Sequence, residues 1–436
     1  MDKVKPRTLS GFMELMPGEQ LIFNKIVQTL EEVYRSYGFV PLDTPVLEAS
    51  DVLLAKAGGE TEKQIYRFSK GDTDIAMRYD LTVPLAKYVS MYYNELAFPF
   101  KRYQIGKVYR GERAQRGRFR EFYQADIDIV GDGGLALTND AEIPAIICEI
   151  FTKLGLGDFT VRINNRKVLY GLFSMLSVEN SADEIMRIVD KTEKAGADKV
   201  RNELLKIGVS QDAYETISRF ISIKGDDEIF EQLRTFSNGN EMFDSGVNEL
   251  EYVFKTASMF GQTKQNLKVD LSIARGLDYY TGTVYETVIN KHPEIGSVCS
   301  GGRYDDLAGF YSAKALPGVG ISIGLTRLFY ILGEIGYLDD RVNPPVDVLI
   351  IPMTEDFRPA ISLASYLRNG NINAQVYYED KKFKNKMNYA NKISAPFVIF
   401  LGEDEIAKDV VTLKNFLTGE QVTIKKDEAA AIIRKF

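Results

Sequence analysis

The chain has 436 residues, of which 45% are hydrophobic and 26% are charged. This length exceeds one ordinary hydrophobic core and predicts two or three domains of a folded, soluble protein. No apolar run approaches the ~18 residues that span a bilayer, and the N-terminal MDKVKPRTLSGF has no apolar signal core. We therefore expect a cytoplasmic protein without membrane association.

The net charge of −7 disfavours general binding to nucleic acid, but the charge is unevenly distributed. Residues 101–121 include eight basic residues and only two acidic ones, Glu112 and Glu121. Because local charge decides where phosphate binds, this segment is a candidate phosphate site. Its basic residues are Lys101, Arg102, Lys107, Arg110, Arg113, Arg116, Arg118 and Arg120.

Cysteine and histidine are scarce. Cys148 and Cys299 lie far apart and outside any CxxC pair, which suits a reducing compartment. With one histidine, His292, the chain is a ligand short of a zinc site with four Cys and His ligands. We interpret His292 as a surface-loop residue, so the chemistry must depend on Arg, Asp, Glu, Gln and Tyr.

The first predicted elements are a helix, an extended segment and a hairpin. Apolar residues at helical spacing predict an amphipathic helix over residues 18–36. The segment FVPLDTPVLE contains two prolines, so we place it at a sheet edge or an interface. Over residues 98–130, the alternating runs KRYQIGKVYR and EFYQADIDIV predict two strands joined by the loop GERAQRGR.

The rest of the chain predicts a helical insertion, further strands and a separate C-terminal domain. Residues 166–262 consist of helical patterns without proline. Strands follow at KVDLSIARG, TVYETVI, SVCSGG and GVGISIG, before the helix LTRLFYILGEIG. Beyond RVNPPVD, strands and helices alternate, which predicts an α/β domain. We therefore assign residues 1–340 to a first domain and residues 341–436 to a second.

The strand EFYQADIDIV carries the strongest chemical signal. Pleating places its polar and apolar side chains on opposite faces. The polar face presents an amide and two carboxylates beside an aromatic ring, which suits a cationic or hydrogen-bonding ligand. A solvated outer face is the alternative. The residues of this face are Phe122, Gln124, Asp126, Asp128 and Val130.

The loop before that strand favours the binding interpretation. Guanidinium groups match phosphate oxygens in pairs, and Arg and Gln side chains also bind base edges. A charged hairpin tip is usually only a soluble turn, but here the cations are nearly continuous. The loop and its flanks contain Arg110, Glu112, Arg113, Gln115, Arg116, Arg118 and Arg120.

The segment IARGLDYYTGTVYE combines a cation with two phenols. Alternation predicts one strand face with Leu271, Ile273 and Arg275, so an apolar row ends in a cation. The turn that follows contains Tyr279 and Tyr280, whose hydroxyls can donate or accept hydrogen bonds. A tyrosine-rich loop packed on the core is the alternative.

The segment GVGISIGLTR is close to a dinucleotide-binding fingerprint but does not match it. Gly318, Gly320 and Gly324 are spaced GxGxxxG, one residue too long, and no acidic residue follows at the usual distance. We exclude a Rossmann site, and a P-loop as well, because the sequence has no Walker A motif. Arg327 lies in the first turn of the next predicted helix, where the macrodipole disfavours a cation. A bound anion, such as a nucleotide phosphate, explains an arginine at this position better than helix stability does.

Together, these segments resemble class II aminoacyl-tRNA synthetases, specifically the histidyl-tRNA synthetase family. YGFVPLDTPVLE, FKRYQIGKVYRGERAQRGRFREFYQADIDIVG and GVGISIGLTRL are similar to the three class II motifs, in order. RGLDYYTG and SGGRYDDL are similar to two signatures of the histidine enzymes. The resemblance runs the length of the chain, except for the helical insertion.

The resemblance implies an α+β catalytic domain with a mixed, mainly antiparallel sheet of the seven-stranded type. A helical insertion and a C-terminal α/β anticodon-binding domain complete the implied fold. It also implies a homodimer that uses ATP with Mg²⁺ to activate L-histidine and then loads tRNA(His). The histidine carboxylate attacks the α-phosphorus, so two anions approach and preorganised cations are required.

The same resemblance implies roles for the residues around the nucleotide. Arg110 binds the α-phosphate, and Arg275 supplies a second cation beside the carboxylate, so both are implied catalytic residues. Glu112 contacts the adenine amino group, Phe122 stacks on the base, and Arg327 holds the far end of the nucleotide.

The implied histidine pocket needs acceptors for the ammonium group and partners for both imidazole nitrogens. Such a pocket discriminates strongly against aliphatic competitors, whose binding leaves buried polar groups unpaired. Position 80 is aspartate, whereas some family members have glutamate, which changes reach but not charge. The implied residues are Asp80, Leu81, Thr82, Gln124, Asp128, Tyr279, Tyr280 and Tyr304.

Contacts with tRNA are implied in both domains. Arg113, Gln115 and Arg116 are expected at the acceptor end, where the family binds an extra 5′ guanine. In the second domain, KKFKNK is a candidate phosphate-facing patch, with a solvated helix face as the alternative. Its lysines are Lys381, Lys382, Lys384 and Lys386.

Three alternatives are weaker. The regulatory subunit of ATP phosphoribosyltransferase is a non-catalytic, histidine-sensing paralogue, which typically lacks the anticodon domain and has a degraded RGLDYYTG. Another class II synthetase, such as that for proline, threonine or glycine, would lack the paired tyrosines and SGGRYDDL. A structural RNA-binding protein would not need Arg110, Arg275 and Arg327 together.

Overall fold

The computed structural model describes residues 3–55, 60–113, 117–190, 196–261, 263–273, 279–338 and 345–435. Arg275, Gln115 and Arg116 lie outside the described residues. The chain divides into two compact units, one of residues 1–14 and 25–336 and one of residues 15–24 and 337–436. None of the described helices is long and apolar enough to cross a membrane.

The elements have the following bounds. The described strands are β1 (Val40–Pro41), β2 (Leu47–Ala49), β3 (Arg67–Lys70), β4 (Thr73–Met77), β5 (Phe100–Tyr109), β6 (Glu121–Val130), β7 (Phe159–Asn165), β8 (Lys224–Gly225), β9 (Leu267–Asp270), β10 (Thr283–Ile289), β11 (Cys299–Tyr304), β12 (Gly318–Gly324), β13 (Val348–Pro352), β14 (Ala374–Val376), β15 (Phe397–Leu401), β16 (Val411–Asn415) and β17 (Gln421–Ile424). The described α-helices are α1 (Pro17–Ser36), α2 (Ser50–Leu54), α3 (Glu60–Gln64), α4 (Thr82–Met91), α5 (Thr138–Leu154), α6 (Arg166–Met175), α7 (Ala182–Val189), α8 (Ala197–Lys206), α9 (Gln211–Ile221), α10 (Ile229–Arg234), α11 (Glu241–Ala257), α12 (Thr263–Asn266), α13 (Leu325–Glu334), α14 (Arg358–Asn369), α15 (Phe383–Lys392), α16 (Glu403–Ala407) and α17 (Lys426–Lys435).

The first unit is built on a large mixed sheet. Among the described residues it has nine strands, in the order β1-β5-β6-β12-β11-β10-β7-β9-β8. Neighbours are antiparallel except for β1 with β5 and β7 with β9. The predicted mixed, mainly antiparallel sheet is confirmed. The two-residue strands β1 and β8 at its edges account for nine strands rather than seven.

Two early elements form where the sequence predicts them. Helix α1 begins at Pro17 and ends at Ser36, and its apolar positions are buried. Strand β1 lies at the edge of the sheet. Proline has no backbone N–H to donate to a neighbouring strand, so an edge strand can accommodate Pro41.

The hairpin of β5 and β6 is also confirmed. It pairs antiparallel over its whole length, from Phe100 with Val130 to Tyr109 with Glu121. Directly opposite residues place their side chains on the same face of a sheet. Every residue of β6 from Gln124 to Val130 is buried, so the alternative of a solvated outer face is wrong.

The predicted strand KVDLSIARG ends early, at Asp270, so the expected strand face does not reach Leu271 or Ile273. The Asp270 carboxylate accepts hydrogen bonds from the backbone N–H and hydroxyl of Ser272, at 3.0 and 2.5 Å. The Ile273 N–H donates to the Asp270 carbonyl at 3.2 Å. These local bonds turn the chain out of the sheet, because they compete with the strand ladder.

Residues 166–257 contain helices α6 to α11 and the short strand β8. Helices α6 and α11 pack closely through glycines. A Cβ at Gly171 would lie 2.6 Å from the backbone of Phe243, and a Cβ at Gly246 would lie 2.6 Å from the backbone of Val168. Any larger residue at either position would push the two helices apart.

The second unit has a sheet of its own, in the order β14-β13-β15-β16-β17 among the described residues. Strands β14, β13 and β15 are parallel, and the last two pairings are antiparallel. Val348 and Ile350 of β13 pack with α14 and α17. Leu349 and Ile351 face the other way and pack with α15. This is the α/β architecture that the sequence predicts.

A buried ion pair joins α5 to β11 in the first unit. Asp140 is 0% exposed, and its carboxylate accepts hydrogen bonds from Nε and Nη2 of Arg303 at 3.0 and 2.6 Å. Asp140→Ala leaves a buried guanidinium without its carboxylate, so we expect the free energy of unfolding to fall by about 3–5 kcal/mol. Urea denaturation followed by circular dichroism measures this loss.

The control is an exposed pair in the same unit. Arg35 bonds Glu31 one turn away on α1, and both are accessible to solvent. Arg35→Ala should leave the urea midpoint nearly unchanged. An equal loss in the two variants would contradict the prediction for Asp140.

Candidate functional site

A cavity of about 430 Å³ lies on the sheet of the first unit. The polar face of β6 lines it with Phe122, Gln124, Asp126 and Asp128. Strands β10, β11 and β12 contribute further lining residues, as do the residues after β5. The sequence-predicted polar face therefore points into a concave site.

Glycines of β12 leave the space that this face needs. Gly320 lies opposite Asp128 in the antiparallel register, and a Cβ there would lie 2.3 Å from Asp128 Oδ1. A Cβ at Gly318 would lie 2.4 Å from the ring of Tyr304. The GxG of this strand accommodates an acid and a phenol, and the antiparallel pairing agrees with the exclusion of a Rossmann site.

Asp128 is at the centre of a buried polar cluster. It is 3% exposed, its Oδ1 accepts a hydrogen bond from the Tyr304 hydroxyl at 2.8 Å, and its Oδ2 lies 2.6 Å from Nη2 of Arg102. Burial raises the pKa of Asp128 to about 6, although Arg102 and Tyr304 oppose that rise. The Tyr279 ring lies edge-on to Tyr280 and Tyr304, with centroids 5.0 and 5.8 Å away.

Asp126 is a second buried carboxylate of the same strand face. Burial raises the pKa of Asp126 to about 7, against the opposing charge of Arg102. Its Oδ1 has no hydrogen-bond partner in the described part of the chain. Strand alternation predicts Asp126 on the polar face, but the implied histidine pocket does not include it.

Asp80 and Thr82 line another part of the cavity. Asp80 Oδ1 accepts hydrogen bonds from the N–H groups of Thr82 and Val83 at 3.2 and 2.9 Å, at the start of α4. Burial raises the pKa of Asp80. Leu81 between them is fully buried and is not a lining residue; its carbonyl accepts a hydrogen bond from Arg102 at 3.2 Å.

Gln124 is held in one orientation. Its Nε2 donates to the Ser322 hydroxyl of β12 at 2.7 Å. Its Oε1 is buried and has no hydrogen-bond partner among the residues that the structure describes. The amide oxygen is therefore an available acceptor on the cavity wall.

Arg110 follows β5 and lines the cavity. Its guanidinium lies 4.3 Å from the ring centre of Tyr79 and 5.1 Å from that of Phe122. Its Nε donates to the Tyr79 carbonyl at 3.2 Å. Two aromatic faces therefore fix the position of this cation.

Glu112 and Arg327 also line the cavity. Glu112 lies 3.7 Å from Arg118, which lines the cavity as well. Arg327 is in the first turn of α13, where the sequence predicts it, and it donates a hydrogen bond to the Ile295 carbonyl. Arg113 is exposed and is not a lining residue.

The described basic residues of segment 101–121 do not all line the cavity. Lys101 pairs with Glu142 at 2.6 Å, and Lys107 pairs with Glu121 at 2.8 Å. Arg102 is 0% exposed beneath the cavity carboxylates, and sequence reasoning missed its place in the site. The hairpin register was the available signal, because it places Arg102 opposite Asp128.

The lysines of KKFKNK belong to the second unit. Lys382 precedes α15, and Lys384 and Lys386 lie in its first turn. Lys381, Lys382 and Lys384 are exposed, whereas Lys386 is half-buried and donates to the Pro352 carbonyl at 3.4 Å.

Known proteins are similar to this chain in sequence and in fold. The chain matches two family models, Histidyl-tRNA synthetase over residues 11–328 and Anticodon binding domain over residues 347–436. It is 52% identical over 435 residues to the histidine–tRNA ligase of Clostridium tetani, with 99% of both chains covered. It matches the solved histidyl-tRNA synthetase structure from Nostoc at 39% identity with a TM-score of 0.91, over 99% of this chain and 100% of that one.

A more distant match shows the shared fold alone. The structure of an ATP phosphoribosyltransferase regulatory subunit/histidyl-tRNA synthetase from Bacillus halodurans is 21% identical, with a TM-score of 0.77. The alignment covers 92% of this chain and 99% of that one.

The raised pKa of Asp126 predicts a pH-dependent stability. Its folded value of about 7 exceeds the ordinary 3.8, so the folded protein retains a proton that the unfolded chain loses. The stabilisation is complete below about pH 4 and is lost as the pH rises through about 7. Asp126→Asn removes this titration, so the free energy of unfolding of the variant should rise relative to that of the wild type by about 1.4 kcal/mol for each pH unit between about 4 and 7.

Urea midpoints of wild type and Asp126→Asn at about pH 5 and pH 8 measure the effect, since the pH dependence of stability reports bound protons. A difference between the two proteins that stays constant with pH would contradict the prediction.

Proposed function

Because the chain belongs to the histidyl-tRNA synthetase family, we propose that it is a histidine–tRNA ligase. It activates L-histidine with ATP to histidyl-adenylate and then transfers the histidyl group to the 3′ end of tRNA(His). One observation carries the proposal: a single cavity contains both the Asp128–Tyr304 cluster and the cation Arg110. An imidazole and a nucleotide phosphate can therefore bind side by side.

The polar cluster binds the imidazole ring. Asp128 accepts a hydrogen bond from one ring nitrogen, and the Tyr280 hydroxyl contacts the other. Tyr304 and Tyr279 form the wall, and the bond from Tyr304 orients the carboxylate. The buried acid and phenols would stay unpaired with an aliphatic side chain, which is the physical basis of specificity.

The ammonium group of histidine binds to acceptors at the start of α4 and on β6. The Asp80 carboxylate and the Thr82 hydroxyl supply two of them, and the buried Oε1 of Gln124 supplies the third. Leu81 contributes through its backbone, because its side chain is buried outside the cavity lining. It keeps its two neighbours at the cavity edge.

Adenylate formation needs cations more than it needs a base. A carboxylate oxygen of histidine attacks the α-phosphorus, and the bond to the leaving diphosphate breaks. Arg110 and Arg275 neutralise the charge that builds at the phosphorus, and Arg327 holds the far end of the nucleotide. The role of Arg275 rests on the motif RGLDYYTG. Mg²⁺ enters as part of the nucleotide substrate.

The base and the tRNA have separate contacts. Glu112 binds the adenine amino group. Phe122, whose ring is in cation–π contact with the Arg110 guanidinium, stacks on the adenine ring. The hairpin tip contacts the tRNA acceptor end through Arg113, Gln115 and Arg116. Lysines of KKFKNK contact phosphates of the anticodon stem.

The remaining features follow the family. The protein acts as a homodimer in the cytoplasm, with a catalytic domain of residues 1–340 that contains the insertion 166–262. Residues 341–436 form the anticodon-binding domain, which includes the matched segment 347–436.

The activity is tested by exchange of labelled diphosphate into ATP. The purified chain should catalyse exchange with histidine and with none of the other standard amino acids, because the cavity pairs both ring nitrogens. A folded sample that binds histidine without exchange would favour the regulatory-subunit alternative. Exchange with another amino acid would favour a different class II enzyme.

Asp128→Ala tests the imidazole contact. Loss of a buried charged acceptor should raise the KM for histidine by about 10- to 100-fold and change the KM for ATP little. Asp132→Ala is the matched control, because Asp132 follows the same strand but is exposed and outside the cavity lining. An unchanged histidine KM in Asp128→Ala would show that Asp128 does not bind the ring.

Arg275→Ala should instead lower kcat for diphosphate exchange.

A further inference from the structure

Arg102 is a buried cation beneath the candidate histidine site. It lies on β5, and none of its side chain is exposed. A guanidinium cannot give up its proton in a protein, so burial is tolerated only when anions and acceptors surround it. The position of Arg102 therefore depends on its neighbours.

The contacts of Arg102 connect two parts of the cavity wall. Its Nη2 lies 2.6 Å from Asp128 Oδ2 and donates to the Leu81 carbonyl at 3.2 Å. Its Nε and Nη1 are buried without a hydrogen-bond partner among the described residues. One guanidinium thus forms an ion pair with the carboxylate proposed to bind the ring and a hydrogen bond with the backbone between Asp80 and Thr82.

Charged and titratable groups face Asp128 from several of the elements packed against it. Asp126 lies on the same strand, Asp80 precedes α4, and Arg102 projects from β5. Burial raises the pKa values of Asp80, Asp126 and Asp128, and the Arg102 guanidinium opposes this rise for all three. The facing strand β12 contributes an uncharged glycine at the paired position. The phenols that face Asp128 are Tyr279, Tyr280 and Tyr304.

We propose that Arg102 is a positioning residue that keeps Asp128 ionised and holds its carboxylate at the place where it binds the imidazole of histidine. The proposal rests on the function proposed above. The Arg102 guanidinium forms an ion pair with Oδ2 at 2.6 Å without hydrogen-bond geometry, and the Tyr304 hydroxyl donates a hydrogen bond to Oδ1. An ionised carboxylate only accepts hydrogen bonds, and each oxygen keeps capacity for a ligand N–H. A protonated Asp128 would instead present a donor to the ring.

Loss of Arg102 has a defined electrostatic consequence. Without the guanidinium, the pKa of Asp128 rises further, so a larger fraction of the carboxyl is protonated near neutral pH. Histidine binding should then require a higher pH. A lysine at position 102 would restore the positive charge but not the simultaneous contacts with Asp128 and the Leu81 carbonyl. Its ammonium group is a point charge and lacks the planar arrangement of donors of a guanidinium.

The experiment compares the full-length wild type with Arg102→Gln and Arg102→Lys. The kcat/KM for histidine in diphosphate exchange is measured from acid to alkaline pH. The acid limb should move up by about 1–3 pH units in Arg102→Gln, a loss of about 10- to 1,000-fold at acid pH. It should move less in Arg102→Lys. The KM for ATP should stay within about threefold, because Asp128 does not contact the nucleotide.

The titration of free histidine is the same for all variants, so a shift between them belongs to the protein. Arg303→Gln is the matched control, because it disrupts a buried Arg–Asp pair outside the cavity lining. It should lower stability and keep the wild-type pH midpoint. Circular dichroism confirms folding of each variant.

The outcomes separate this inference from the proposed function. Absence of exchange in the folded wild type would overturn the function. Normal exchange in the wild type with an unshifted acid limb in Arg102→Gln would overturn only the role of Arg102. If Arg102→Gln does not fold, Arg102→Lys decides: a higher histidine KM at unchanged kcat supports the role, and a lower kcat with a higher ATP KM overturns it.

Discussion

The burial of three carboxylates on one wall is the constraint on which the site depends. Asp80, Asp126 and Asp128 are each at most 7% exposed, and their charge is balanced by few groups. Burial of an ion is costly unless hydrogen bonds and opposite charge compensate it. The Arg102 guanidinium and the Tyr304 hydroxyl provide that compensation at Asp128. A cavity with excess negative charge at one end and Arg110 near it suits a substrate with separated charges.

The sheet makes this arrangement possible. Strand β6 lies between β5 and β12, so its polar face has a cationic neighbour on one side and a glycine neighbour on the other. The cation supports the acid, and the glycine leaves space for the ligand. Neither function could be provided by a loop alone, because each depends on the fixed register of three strands.

The sequence predicted most of this architecture from local patterns. The alternation of EFYQADIDIV predicted β6 and its polar face, and the spacing of LTRLFYILGEIG predicted α13 with Arg327 in its first turn. The failures were non-local or concerned side-chain bonds to the backbone. Ser272 and Asp270 end β9 through such bonds, which alternation cannot detect. The charge count placed Arg102 in a candidate phosphate site, because a count does not reveal which cations are paired with buried carboxylates.

The antiparallel register of the hairpin also limits how its length can change. Side chains of a strand alternate between faces, so removing one residue within β6 would turn the following positions over. Ile127 and Ile129 would then face the cavity, and the carboxylates would enter the apolar core. Within the hairpin, only length changes between Tyr109 and Glu121 leave the alternation of β6 side chains unchanged, and Arg110 and Glu112 in that segment line the cavity themselves.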